Sequence, residues 1–264
     1  MIKKLSKKAS LLSALVLTMA LFAGCSNEKE NQKVADIEVK TIATKELQDK
    51  LSDDSWVVVD TRINDAFNGW KLDEVERGGH IKGAVDFSAN WLTVDSKDKE
   101  KTLDKALETK GIEKDKNIVL YDANGKDAKE VANYLSEKGY KNLYTYNVAD
   151  WAKDESLPME SYENYEMIVP ATIVNDILDG KKPETFENSK NIKIVEASWG
   201  EESEAYSKGH VPTSVHINTD TVEPPPQWML ASDEELAKFA NDYGFTKDDT
   251  VIVTGPDVMA SYRV

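Results

Sequence analysis

Short apolar runs separated by polar turns set the rhythm of this chain. Trp56-Val57-Val58-Val59 is compact and β-branched, the composition of a buried strand rather than a helix. Asp60-Thr61-Arg62 ends that run with polar groups. Gly78-Gly79-His80 reads as a flexible turn, after which Ile81 to Phe87 returns as a second short apolar segment. Ile118 to Tyr121 and Leu143 to Tyr146 predict two further strands. Between them the spacing is helical. Ile42 to Leu51 predicts a helix capped by Thr44, and Leu103 to Gly111 one closed by its glycine. Ala128 to Lys138 predicts an amphipathic helix that carries Val131 and Leu135 and stops at Gly139. Val148 to Trp151 and Leu157-Pro158 close the unit. Strands alternating with helices predict an α/β fold with a parallel sheet covered on both faces.

The second half repeats the first. Gly79-His80-Ile81-Lys82-Gly83-Ala84-Val85-Asp86-Phe87 recurs as Gly209-His210-Val211-Pro212-Thr213-Ser214-Val215-His216-Ile217, an offset of 130 (210 minus 80). Leu103…Gly111-Ile112 recurs as Leu236…Gly244-Phe245, and Ile118-Val119-Leu120-Tyr121 as Val251-Ile252-Val253-Thr254, both at an offset of 133 (251 minus 118). Ile194-Val195-Glu196-Ala197 stands in for Val58-Val59-Asp60-Thr61. The expectation is two units of one fold, 38–160 and 165–264, with the junction near Tyr162 to Met167. Residues 128–157 follow the Asp122 loop in the first unit, whereas only ten residues follow Thr254. The second unit is therefore expected to be incomplete.

The layout of strand, Asp60-Thr61-Arg62, variable loop and Gly-His-Ile-Lys-Gly-Ala-Val-Asp-Phe resembles the rhodanese (sulfurtransferase-like) family. That resemblance implies two three-layer α/β/α domains with parallel sheets. It also implies an active-site loop of pattern C-x-x-G-x-R just after the strand at Ile118–Tyr121, whose backbone N–H groups hold a cysteine persulfide as an anion. The matching positions here are Asp122, Gly125 and Asp127. The glycine is present, but the cysteine and the arginine are both replaced by aspartate. In the second unit the cysteine position is Gly255, followed by Pro256, which removes one N–H donor. A carboxylate cannot accept a sulfane sulfur and hand it on, so both loops are expected to be catalytically degenerate.

Composition sharpens this. The 264 residues contain a single cysteine, Cys25, so no disulfide, metal thiolate or second thiol nucleophile is available. Cys25 lies at the end of Leu21-Phe22-Ala23-Gly24-Cys25, behind Lys3, Lys4, Lys7, Lys8 and the apolar run Leu11 to Phe22. This arrangement resembles a bacterial lipoprotein signal, residues 1–24, with Phe22 where a smaller aliphatic is usual. It implies lipid on Cys25, a polar tether over 25–37, and anchoring to the extracytoplasmic face of the cell membrane. The formal charge of -15 speaks against nucleic acid and anionic membrane patches as partners.

The remaining candidates have structural expectations. Asp60 and Arg62 suit a buried ion pair tying loop to strand. His80 and His210, in the repeated Gly-His turn, suit structural hydrogen bonds, as Gly83 suits the turn itself. His216 sits on a strand, and no histidine pair has metal-ligand spacing. Pro224-Pro225-Pro226-Gln227-Trp228 reads as a stiff loop packing its own Trp. No cofactor or metal is expected. The partner is expected to be the membrane through its lipid, with a small sulfur-containing ligand or a protein besides. The units are thus expected to be non-catalytic binding or structural modules. The alternative is part of a thiosulfate-type sulfurtransferase whose cysteine domain lies beyond Val264. A remoter one is an aspartate-nucleophile phosphatase, because Asp122-Ala123-Asn124 faintly resembles the haloacid-dehalogenase opening.

Overall fold

The computed structural model describes residues 39–200 and 204–264. The expected signal segment 1–24, Cys25 and the tether 25–37 lie outside the described residues.

In chain order the elements are β1 (Lys40–Thr41), α1 (Thr44–Lys50), β2 (Trp56–Asp60), α2 (Asn64–Asn68), β3 (His80–Ile81) and β4 (Val85–Asp86). Then come α3 (Lys99–Thr109), β5 (Asn117–Asp122), α4 (Asp127–Glu137), β6 (Leu143–Asn147), α5 (Val148–Ala152) and β7 (Met159–Glu160). The second half holds α6 (Ala171–Leu178), β8 (Asn191–Ser198), α7 (Glu204–Lys208), β9 (Val215–Asn218), α8 (Asp233–Asp242), β10 (Asp249–Thr254) and α9 (Val258–Arg263). Five parallel strands form one sheet in the order β1-β6-β5-β2-β4, and three form another in the order β10-β8-β9, also parallel. β3 and β7 make a separate antiparallel pair. The fold is α/β with parallel sheets.

The continuous apolar strands follow from burial on both faces. Alternate side chains of β2 and β5 go to opposite sides. Val59, Ile118 and Leu120 pack with Leu103, Leu107, Val131 and Leu135 of α3 and α4. Val58, Val119 and Tyr121 pack with Leu47, Trp151 and Leu157. Each such aliphatic side chain contributes about 1.5–3 kcal/mol. A third cluster draws Trp70 together with Ile173, Phe186, Ile194 and Ile252.

Several local expectations need correction. Ile81 to Phe87 is not one segment: Gly83 turns at φ +81° between β3 and β4, which lie in different sheets. The Gly78-Gly79 turn is closely packed against backbone. A Cβ on Gly78 would lie 2.0 Å from the Gly69 carbonyl oxygen, and one on Gly79 2.3 Å from that of Glu160. Thr44 is not the cap of α1. Ala43 precedes the helix, and the Thr44 hydroxyl pairs with the Tyr146 hydroxyl at 2.9 Å. Trp228 is 47% exposed rather than packed onto its own unit.

Candidate functional site

The carboxyl ends of β2 and β5 bring the motif residues together. Tyr121 faces inward at the end of β5, and its hydroxyl accepts from the Ile81 N–H at 3.1 Å. Burial pushes that phenol well above its usual pKa. Beside it Asp60 and Arg62 form a buried fork. Arg62 Nε donates to Asp60 Oδ1 at 2.9 Å, and Nη2 donates to Oδ2 at 2.6 Å and to the Gly79 carbonyl at 2.7 Å. Both side chains are at most 1% exposed. Burial works to lower the Arg62 pKa, but the Asp60 hydrogen bonds and charge outweigh it, and the guanidinium sits above its ordinary value. The ion pair therefore ties the β2 end to the long loop before β3.

The adjoining loop is where the family chemistry would lie. Asp122 is the last residue of β5 and is 1% exposed. Its Oδ1 accepts from the Gly125 N–H and its Oδ2 from the Ala128 N–H, each at 2.9 Å. Gly125, at φ +71°, turns the loop back so that its N–H reaches the carboxylate. Asn124 Oδ1 accepts from the N–H groups of Lys126 at 2.8 Å and Asp127 at 3.3 Å. Two side chains thus satisfy four successive backbone donors at the start of α4, donors a helix cannot satisfy itself. The loop keeps converging N–H groups, and the chain's own carboxylate closes them. Asp127 follows at the first helical position. Burial raises its pKa, and the neighbouring Asp122 charge adds to the rise. An anion approaching here meets the carboxylates of Asp122 and Asp127. The phosphatase geometry finds no support, because both Asp122 oxygens are engaged and buried.

At the end of the second sheet the corresponding loop is closed differently. A Cβ on Gly255 would lie 2.3 Å from the Ala197 carbonyl oxygen and 2.9 Å from Ser261 Oγ. Asp257 instead caps α9, accepting from the Met259 N–H at 2.7 Å. Where the first half has Asp60-Thr61-Arg62, the second has Glu196-Ala197-Ser198, and Ser198 Oγ meets His216 Nε2 at 2.7 Å.

The two Gly-His turns share one arrangement. His80 stacks on Phe67 with ring centroids 3.8 Å apart, and its Nδ1 donates to the Phe67 carbonyl at 2.8 Å. His210 stacks on Tyr206 at 3.9 Å, with Nδ1 donating to the Tyr206 carbonyl at 3.0 Å. Each nitrogen thus holds its own preceding helix. Gly83 donates its N–H to Glu160 Oε1 at 2.9 Å. Its counterpart Thr213 also has positive φ, +69°. Among the described residues no cluster of His, Cys, Asp and Glu is placed to hold a metal ion.

Two contributors carry no motif. Arg77 donates to the carbonyls of Trp151, Ala152, Asp154 and Leu157 at 2.8–2.9 Å, closing the end of α5. A groove of about 570 Å³ is lined by Trp70, Leu72, Asp73, Val75, Ile173 and Asp176. The negative charge of Asp73 also reaches Asp127.

Comparison with known proteins agrees with this frame. The rhodanese-like domain model matches residues 43–151 and 181–264. The chain is 28% identical over 258 residues to the thiosulfate sulfurtransferase YnjE of Escherichia coli, covering 98% of this chain and 55% of that protein. Among solved structures, the anaerobic ergothioneine biosynthesis enzyme of Chlorobium limicola with trimethyl histidine is 30% identical. It superposes with a TM-score of 0.73 over 84% of this chain and 51% of that one. EanB with ergothioneine covalently linked to a cysteine persulfide is also 30% identical, with a TM-score of 0.73 over 83% of this chain and 50% of that chain. The chain thus spans about half the length of these relatives. With the motif, the parallel sheets and the family match in agreement, the chain belongs to the rhodanese-like domain family.

Proposed function

We propose that this chain is a membrane-anchored, non-catalytic pair of rhodanese-like units that acts as a binding or structural module. The observation that carries this reading is the Asp122 carboxylate, held by the Gly125 and Ala128 N–H groups where the family persulfide would lie. With Cys25 as the only cysteine, and that residue assigned to lipid, no thiol remains to carry sulfur. The groove lined by Trp70, Asp73, Glu74, Ile173, Asp176 and Glu184 supplies a binding surface that mixes apolar and acidic side chains, suited to a neutral or cationic group. The anchoring reading rests on the lipoprotein-like signal ending at Cys25; no helix among the described residues is long and apolar enough to cross a membrane.

A second reading follows from one observation, that the relatives are about twice as long. In it these units are the inactive part of a thiosulfate-type sulfurtransferase, and the working cysteine stands in another unit. One pair of assays separates the two readings. The purified chain is expected to form no thiocyanate from thiosulfate and cyanide, and Cys25→Ala is expected to shift it from membrane to soluble fractions or leave an uncleaved precursor. Turnover by this chain overturns the inactive assignment. Turnover only by the protein isolated from its own cells selects the second reading.

A further inference from the structure

Glu196 of the second sheet stands where Asp60 stands in the first. Asp60 pairs in register with Asp86 of β4 and Tyr121 of β5, and Glu196 with His216 of β9 and Thr254 of β10. Those partners are related by the offsets of 130 and 133 found in the sequence (216 minus 86, 254 minus 121). Both carboxylates are buried, in residues 0% and 7% exposed. What differs is the partner. Arg62 forks onto Asp60 and reaches the Gly79 carbonyl, whereas the residue two places after Glu196 is Ser198. The Glu196 carboxylate has no hydrogen bond or ion pair among the described residues. Ser198 Oγ and His216 Nε2 are engaged with each other at 2.7 Å. Arg263 pairs with Glu223, Lys193 with Asp249 and Lys208 with Glu204. Positions 201–203 are Glu, Glu and Ser, and bring no cation.

A carboxylate taken out of water is costly unless it is paired, and buried charges ordinarily are. The first half meets that need with its own guanidinium, and the second half carries the carboxylate without one. The corresponding turn is open as well. A Cβ on Gly79 would lie 2.3 Å from the Glu160 carbonyl oxygen, but one on its counterpart Gly209 would meet no atom within 4 Å. Gly209 and His210 are exposed, whereas His80 is buried. We propose that Glu196 is a binding site for a guanidinium group brought by a ligand, which takes the place that Arg62 fills in the first half. A planar guanidinium offers a carboxylate two parallel N–H donors, a match that a compact ammonium cannot make. The formal charge of -15 draws cations toward the chain. A small guanidino compound and the arginine side chain of a protein carry the same group. This site is independent of the Asp122 loop, and its failure leaves the reading of that loop untouched.

The test is amide nuclear magnetic resonance of the full chain titrated with methylguanidinium chloride. Saturable shifts of the Glu196, Ser198 and His216 amides are expected at millimolar concentration. Glu196→Gln keeps the shape of the side chain and is expected to weaken binding at least about tenfold. Propylammonium, a point charge without the fork, is expected to bind at least about tenfold more weakly than methylguanidinium. Ser198→Arg supplies the guanidinium in cis, as the first half does, and is expected to abolish the titration. A blocked arginine dipeptide separates the two sources. Binding as tight as that of methylguanidinium assigns the site to an arginine side chain, and binding of methylguanidinium alone assigns it to a small compound. The proposal is overturned by no saturable shift with either probe, by unchanged affinity in Glu196→Gln, by equal binding of propylammonium, or by a folded Ser198→Arg that binds as the parent does.

Discussion

Replacing Asp122 with alanine removes the group that closes the loop. The Gly125 and Ala128 N–H groups each lose a carboxylate acceptor at 2.9 Å, in a site where Asp122 is 1% exposed. A hydrogen bond to a charged group is worth about 1.5–3 kcal/mol, and loss of a helix-capping oxygen about 0.5–2 kcal/mol. Relief from burying a carboxylate offsets part of this. The expected net loss is about 2–3 kcal/mol. With a urea slope of about 2 kcal/mol per molar, the midpoint falls by roughly 1 M. Asp122→Asn keeps one acceptor but sets an amide N–H₂ against the other backbone donor, so about 1–2 kcal/mol is expected. Unfolding followed by near-ultraviolet circular dichroism at neutral pH measures both. If Asp122→Ala lies within about 0.5 kcal/mol of the parent, the carboxylate does not hold the loop and the reasoning is refuted.

Three further outcomes follow from the same geometry. Arg62→Met leaves the Asp60 carboxylate buried without its partner and is expected to cost about 3–5 kcal/mol, part of it recovered by adding Asp60→Asn; urea midpoints of the single and double variants check this. The Asp127 pKa is raised in the folded state, so its ionised form opposes folding once pH rises through the ordinary carboxylate range. Asp127→Asn is therefore expected to stabilise the fold at pH 7 by no more than about 0.5 kcal/mol, read from the urea midpoint, and the gain should vanish in acid below that range. Gly255→Cys places a Cβ 2.3 Å from the Ala197 carbonyl oxygen, so it is expected to cost about 1–3 kcal/mol and, assayed with thiosulfate and cyanide, to gain no sulfur transfer.

The parts of this fold legible in the sequence are those where local pattern and burial agree. β2 and β5 carry continuous apolar runs because both faces of the sheet are covered. α3, α4 and α8 stop at Gly111, Gly139 and Gly244, all at positive φ, where glycine alone is unstrained. The repeat also carried through to strand order, since β10-β8-β9 copies β5-β2-β4. What stayed hidden depends on distant partners. β1 is two exposed residues that pair with β6 about a hundred positions away, and β3 pairs with β7 through only two residues. Arg77 stands in a charged loop like any surface arginine, and only the folded chain brings four carbonyls to it. At the loop, the sequence shows an aspartate at 122, where the family resemblance implies a thiol. In the folded chain the Asp122 carboxylate takes the backbone donors for itself, which residue type alone does not reveal.

If Asp122 occupies the cradle of a family persulfide, restoring the thiol there restores sulfur uptake. Whole-protein mass measurement after incubation with thiosulfate tests it most directly, on the protein with Cys25→Ser and on that background with Asp122→Cys and Asp127→Arg. The first is expected to gain no sulfur and the second one sulfur atom, with Asp122→Cys alone remaining poor because Asp127 still opposes the anionic donor. Sulfur on the first, or a folded second variant that takes up none, would contradict it.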